Sequence, residues 1–217
     1  MKSIRHITRP TTLALLGALA LSPAAFAQDA STGTAAGKRF SVAAGYALAE
    51  PTRNPQINGT RTQVDGESAP TLSAAYHVND NIAIEAWGAD KFGHRVRTQT
   101  GKVASVGAQP AAISGQYRFG AADRTVRPFV GLGYHETNFS EETATPGGAL
   151  AGNRIGMETA KGAIATAGVD VNLSPSWFAR ADVRYLQGTS DVKLNGVDAG
   201  EAKLEPVIIG VGVGTRF

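Results

Sequence analysis

The chain has 217 residues, with 21 Lys and Arg, 18 Asp and Glu and no cysteine. Three of the cations (Lys2, Arg5, Arg9) and none of the acids fall in residues 1–27, so the remaining 190 residues balance at 18 against 18. That balance leaves no clustered excess of cations for nucleic acid, and the lack of cysteine excludes a disulfide framework.

Lys2, Arg5 and Arg9 precede the apolar run Leu13 to Leu21, and Ala25-Phe26-Ala27 offers small residues where a signal peptidase needs them. Residues 1–27 therefore read as a secretory signal peptide cut after Ala27. The run breaks at Pro23, short of the roughly 20 apolar residues of a spanning helix. Residues 28–37 are expected to form a short periplasmic tail and 38–217 one domain. No later stretch is long and apolar enough for a helical span, so any membrane crossing has to be made by strands.

Period-two segments then follow one another. "FSVAAGYAL" sets Phe40, Val42, Ala44, Tyr46 and Leu48 against Ser41, Ala43, Gly45 and Ala47. "LSAAYH" sets Leu72, Ala74 and Tyr76 against Ser73, Ala75 and His77, and "NIAIEAWGAD" sets Ile82, Ile84 and Ala86 against Ala83, Glu85 and Trp87. "AAISGQYRF" opposes Ile113, Tyr117 and Phe119 to Ser114, Gln116 and Arg118. "RPFVGLGYH" opposes Val130, Leu132 and Tyr134 to Phe129, Gly131, Gly133 and His135, with Pro128 near the strand start, where a missing N–H is tolerated.

"GAIATAGVDV" places Ala163 to Val171 opposite Ile164, Thr166, Gly168 and Asp170. "WFARADVRYLQ" places Trp177, Ala179, Ala181, Val183 and Tyr185 opposite Phe178, Arg180, Asp182, Arg184 and Leu186. Last, "VIIGVGVGTRF" sets Val207, Ile209, Val211, Val213, Thr215 and Phe217 against Ile208, Gly210, Gly212, Gly214 and Arg216. These make eight strands.

Short turns follow the second, fourth and sixth strands, around Asn79-Asp80, Gly120 to Thr125 and Leu173 to Ser176. Long polar segments follow the others: Glu50 to Ala69, Lys91 to Gln109, Ser140 to Ala160 and Gly188 to Lys203. Their Gly, Pro, Asn, Asp and Ser content marks them as loops. The expected fold is all-β: an eight-stranded antiparallel up-and-down transmembrane barrel of a Gram-negative outer membrane, with short periplasmic turns, long extracellular loops and both chain ends periplasmic.

In that frame Phe40, Tyr76, Tyr117, Phe119, Trp177 and Phe217 fall at the periplasmic ends of their strands. Tyr134 and Tyr185 fall at the opposite ends, and Tyr46 approaches that level. Two aromatic belts bracketing an aliphatic band match a lipid slab with two interfaces. The apolar rows then face lipid and Arg180, Asp182 and Arg184 face the lumen, since the reverse would expose charge to hydrocarbon at about 2 to 4 kcal/mol per Arg. A soluble lipocalin-like barrel needs an apolar interior, whereas here the row opposite the apolar one is charged.

From Arg39 to Phe217 the chain resembles the OmpW family of small outer-membrane barrels. The resemblance rests on "NDNIAIEAWGADKFGHRV", "RPFVGLGYHETNF", "AGVDVNLSPSWFARADVRYL" and "KLEPVIIGVGVGTRF". It implies a narrow lumen open to the outside that passes small hydrophobic molecules, with lateral exit into lipid as one route. It also implies that Phe217 belongs to a C-terminal signal read by the barrel-assembly machinery. The inward row of the seventh strand is more charged than the family's apolar conduit.

Eight strands enclose a space that side chains nearly fill, so a wide porin is not expected. Arg118, Arg127, Arg180, Arg184 and Arg216 face inward with Glu85, Asp170 and Asp182, and buried charges of this kind have to pair. They are read as a salt-bridged plug or as a selectivity and gating group. Trp87, Phe129 and His135 are expected to line an apolar vestibule near the mouth or simply to fill space. Gly131, Gly133, Gly210, Gly212 and Gly214 leave room on the inner face, for close approach of bulky groups or for a passage. His77, His94 and His135 are too scattered for a metal site, and His94 near Asp90 lacks a nucleophile motif, so neither enzyme activity nor a cofactor is expected. The rival to transport is a closed barrel whose loops bind partners or phage.

Overall fold

The computed structural model describes residues 38–52, 56–57, 60–61, 63–65, 67–98, 101–144, 155–194, 197–203 and 205–217; the expected signal peptide and tail lie outside the described residues. Eight long strands build the barrel wall: β1 Phe40–Pro51, β2 Glu67–His77, β3 Ile82–Ala89, β4 Gly101–Arg118, β5 Val126–Ala144, β6 Ala160–Asn172, β7 Trp177–Leu194 and β8 Pro206–Arg216, and Gln63–Asp65, Phe92–Thr98, Ile155–Met157 and Val197–Lys203 extend the same sheet. Each of the eight pairs antiparallel with the next. The sheet closes where β8 meets β1, from Ser41 opposite Arg216 to Pro51 opposite Pro206. Phe40 N–H donates to the Phe217 carbonyl at 3.0 Å and Phe217 N–H donates back to Phe40 at 2.9 Å, so the seam is bonded to its last residue. Closure removes the edges that an open sheet would present.

The three short turns carry their own caps. The Asn79 side-chain oxygen accepts from Asn81 N–H at 2.9 Å and Ile82 N–H at 2.7 Å. The Ser174 hydroxyl accepts from Trp177 N–H at 3.0 Å. Gly120 sits at φ 79°, where a side chain would be strained. Near the start of β5, Pro128 gives up no bond it needs, and its carbonyl accepts Phe119 N–H at 2.9 Å.

The far end differs from the expected irregular loops. Phe92–Thr98 pairs with the first part of β4, β5 continues to Ala144, and β7 continues to Leu194, where it pairs with Val197–Lys203. The Gly, Ser and Asn content that reads as loop is accommodated because paired backbone satisfies its own N–H and C=O groups whatever side chains it carries. An 18-residue strand such as β4 spans about 60 Å. That is roughly twice a bilayer's hydrocarbon thickness, so paired strand continues well past the apolar band.

Every outward row named from the sequence lies on the barrel exterior. Leu132, Val211 and Leu72 are 73%, 62% and 59% exposed, whereas Glu85 and Asp170 on the opposite rows are fully buried. Ala181 sits outside and Arg180 and Arg184 inside. An Ala181→Arg substitution is therefore expected to reduce the fraction that folds, at a cost of about 2 to 4 kcal/mol, while Ala181→Leu leaves it unchanged. Heated and unheated samples compared on a gel give the folded fraction directly.

Candidate functional site

The barrel interior is built by the inward rows, and its lower half is a continuous ion network. β6 contributes Asp170, whose carboxylate accepts from Arg180 Nε at 2.7 Å and Nη2 at 3.1 Å, from Arg216 at 3.3 Å, and from Arg118. β3 contributes Glu85, whose oxygens accept from Arg180 at 2.5 Å and Arg184 at 3.0 Å. Asp182 takes the Nε of Arg184 at 3.0 Å. Arg180 on β7 therefore bridges β6 to β3 across the full barrel. Gln116 accepts from Arg118 at 3.0 Å, and Asn172 accepts from Arg216 at 2.7 Å. Arg127 instead reaches the Asp80 carbonyl at 2.6 Å, tying β5 to the first short turn.

Aromatic rings fill the spaces between the guanidinium groups. Arg180 lies 4.8 Å from the Phe129 ring centre and 5.3 Å from Phe178; Arg216 lies 4.1 Å from Phe178, and Arg184 4.6 Å from Trp87. Cation–π contacts gain strength when desolvated, as all of these are. Two glycines make the packing possible. A β-carbon at Gly214 would collide with Phe178 Cζ, and one at Gly168 would lie 2.6 Å from Phe129 Cζ.

Above the ions the interior turns apolar. Ala47, Ala49, Ala69, Trp87, Ala89, Phe92, Ile164, Leu186 and Ile208 form one buried cluster, with Ala112 packed against it. Of the three residues expected to line a vestibule, only Trp87 belongs to this chamber. Phe129 lies low, under Arg118 and Arg180, because β5 rises from its short turn and residue 129 comes early on it. His135 is buried but polar in its contacts, its ring bonded to the Gln187 carbonyl at 3.2 Å and to the Thr137 hydroxyl at 3.3 Å. Apart from Trp87, sequence reasoning named none of the cluster as site members: Phe92 lay in a segment read as loop, and Ile164, Leu186 and Ile208 were identified as inward only.

The wall beside the chamber has a fault. The β3–β4 ladder ends at Gly88 opposite Ala111, and pairing on that side of β4 resumes at Ala108 opposite Phe92, so Gln109 and Pro110 lack partners toward β3 while staying in register with Asn138 and Thr137 of β5. Pro110 has no N–H to donate, and Asp90 N–H turns instead to the Pro70 carbonyl at 2.9 Å.

On the exterior the two aromatic rows sit at opposite ends. Phe40, Tyr76, Tyr117, Phe119, Trp177 and Phe217 are exposed at the short-turn end, with Phe40 5.4 Å from Tyr76, 6.1 Å from Phe217, and Tyr117 5.1 Å from Phe119 between ring centres. Tyr46, Tyr134 and Tyr185 are exposed toward the other end.

A closed cylinder with an aliphatic band outside and its buried ion network inside defines an outer-membrane β-barrel. The sequence matches the OmpW family over residues 37–217, and the chain belongs to that family. It is 30% identical to outer membrane protein W of Salmonella typhimurium over 217 residues, 95% of this chain and 98% of that protein. The crystal structure of OprG from Pseudomonas aeruginosa superposes with a TM-score of 0.73 at 20% identity, covering 86% of this chain and 99% of OprG. The solution structure of Escherichia coli outer membrane protein W superposes with a TM-score of 0.57 at 28% identity, covering 83% of this chain and 98% of that one. The protein resides in the outer membrane, and its relatives are barrel proteins rather than enzymes.

The network makes Asp170 the most heavily shared acceptor. Asp170→Asn leaves three guanidinium groups around a neutral amide, and the expected loss is about 3 to 5 kcal/mol in the urea unfolding midpoint of the vesicle-inserted barrel. Asp182→Asn, which relieves Arg184 alone while Glu85 still holds it, is expected to cost under about 2 kcal/mol in the same measurement.

Proposed function

We propose that this barrel passes small apolar solutes across the outer membrane, taking them into the apolar chamber from the extracellular side and releasing them sideways into lipid. The observation that carries this reading is the order of the interior: a buried apolar cluster resting on an ion network that blocks the axial way down. A solute that enters the chamber meets buried charge below it, and desolvating that charge is unfavourable. The lack of partners toward β3 at Gln109 and Pro110 adjoins Ala89 and Phe92 of the chamber, which supports a lateral route there. Phe92, buried in the apolar cluster, is the residue at which pairing resumes. Glu85, Trp87, Arg118, Phe129, Asp170, Arg180, Asp182, Arg184 and Arg216 act as the chamber floor, and His135 as a polar brace beside it.

We further propose that the outward aromatic rows anchor the barrel at the two lipid interfaces, that residues 1–27 direct export, and that the terminal Phe217 is read by the barrel-assembly machinery. A second reading, a closed barrel that displays its hairpins to partners or phage, is favoured by the same network, since Arg180 and Arg184 pair across to Asp170 and Glu85.

Uptake by liposomes containing the purified barrel separates the two. An apolar solute is expected to enter faster than a polar one of equal size, with Phe92→Ala raising the apolar rate severalfold and Ile164→Glu abolishing it while the barrel stays folded. Apolar uptake equal to that of empty liposomes would leave the closed barrel as the function.

A further inference from the structure

The outside of the wall is not uniform around the barrel. On β6 the outward row runs Lys161, Ala163, Ala165, Ala167, so three successive positions below the lysine project only a methyl group. The register sets those alanines between bulky neighbours. Ala163 lies beside Tyr134 of β5, Ala165 lies between Leu132 of β5 and Tyr185 of β7, and Ala167 lies between Val130 and Val183. All five flanking side chains are exposed. The result is a groove with two ridges. The ridges stand on strands two ladder spacings apart, about 10 Å, and the methyl floor is about 13 Å long. A hydrocarbon chain lying in it touches the floor and both ridges, whereas a chain against a flat wall is in contact on one side only.

The upper end of the groove carries a charge. Tyr134 and Tyr185 mark the extracellular interface on β5 and β7, and at that level β6 offers Lys161 in place of a third ring. The Lys161 ammonium lies 3.3 Å from Glu136, whose carboxylate also accepts from the Tyr134 hydroxyl at 3.2 Å. These contacts hold the cation at the head of the groove, and a side chain 57% exposed leaves it open to a further partner. A lysine in this place runs its aliphatic stem along apolar surface and lifts its charge to the headgroups.

We propose that the groove on β6 seats an acyl chain of lipid A, the phosphorylated lipid of the outer leaflet, with one of its phosphates on Lys161. The groove dictates the tail, because it is apolar and as wide as one extended chain with its contacts. The ammonium dictates the headgroup, because a cation at the interface attracts an anionic lipid. The leaflet dictates which anionic lipid, because the groove opens toward the long hairpins and so toward the extracellular side. The site lies on the exterior of the wall and does not rest on apolar transport through the interior.

The test is lipid retention by the purified full barrel, exchanged in detergent against bisphosphorylated lipid A, its dephosphorylated form or phosphatidylglycerol, and read by native mass spectrometry. Lipid A is expected to be retained above both of the others. Lys161→Gln is expected to weaken that retention about fivefold, and Glu136→Gln, which removes the opposing charge, to strengthen it. Ala165→Leu, which fills the groove with a side chain that lipid tolerates, is expected to weaken it severalfold while the heat-shifted gel band shows an intact barrel. Equal retention of lipid A with and without its phosphates, phosphatidylglycerol held as firmly as lipid A, or retention unchanged by Lys161→Gln or by Ala165→Leu would each overturn the proposal.

Discussion

Hydrocarbon offers no partner to a peptide group and none to an ion, and each feature of this barrel answers that refusal. The backbone satisfies itself only by closing, so β8 must find β1. The side chains must then divide completely, because the row that meets lipid can hold no charge. With 21 Lys and Arg and 18 Asp and Glu in the chain and much of the wall surrounded by acyl chains, the ions that fall within the membrane are forced into a cylinder barely wider than they are. A soluble protein would scatter these groups over its surface.

What results inside is a mutual solution. Arg180 alone would be prohibitive in such a place, as would Glu85 or Asp170. Together they satisfy one another with planar, directed bonds that arginine supplies better than lysine. Phe129, Phe178 and Trp87 fit between the guanidinium planes and exclude water, which strengthens the ion pairs they separate. The price is space: rings of that size need Gly168 and Gly214 behind them. The ions end where β7 passes from Arg184 to Leu186, and from there upward Ile164, Leu186 and Ile208 take over. The same strand therefore builds both floor and chamber, simply by changing what it places at alternate positions.

Alternation is local, so it was fully legible in the sequence: which side of the wall Val183 or Arg184 occupies follows from counting by twos. Height and partnership are not local. Arg180 and Glu85 meet across 95 positions of sequence, and nothing in either segment encodes that distance, which is fixed by the stagger of the closed sheet. The choice for Phe129 between lining a vestibule and filling space stayed open for this reason: its inward direction was readable, its depth was not. The hairpins that extend β4, β5 and β7 were obscured differently. Above the membrane neither face needs to be apolar, so the period-two signal fades just where the strands continue, and Gly or Ser there looks like loop. The fault at Pro110 was legible as a missing N–H, but its position beside the chamber required the register.

The seam between β1 and β8 has a consequence for biogenesis. Its pairs join Ser41 to Arg216 and Phe40 to Phe217, among the most distant partners in the described chain. Loop-closure entropy opposes such contacts until everything between them is in place. Until the final phenylalanine emerges, the nascent polypeptide is a curved ribbon with two hungry margins, prone to zip onto a neighbour. A polypeptide shortened by its last strand would leave both margins of the sheet without partners.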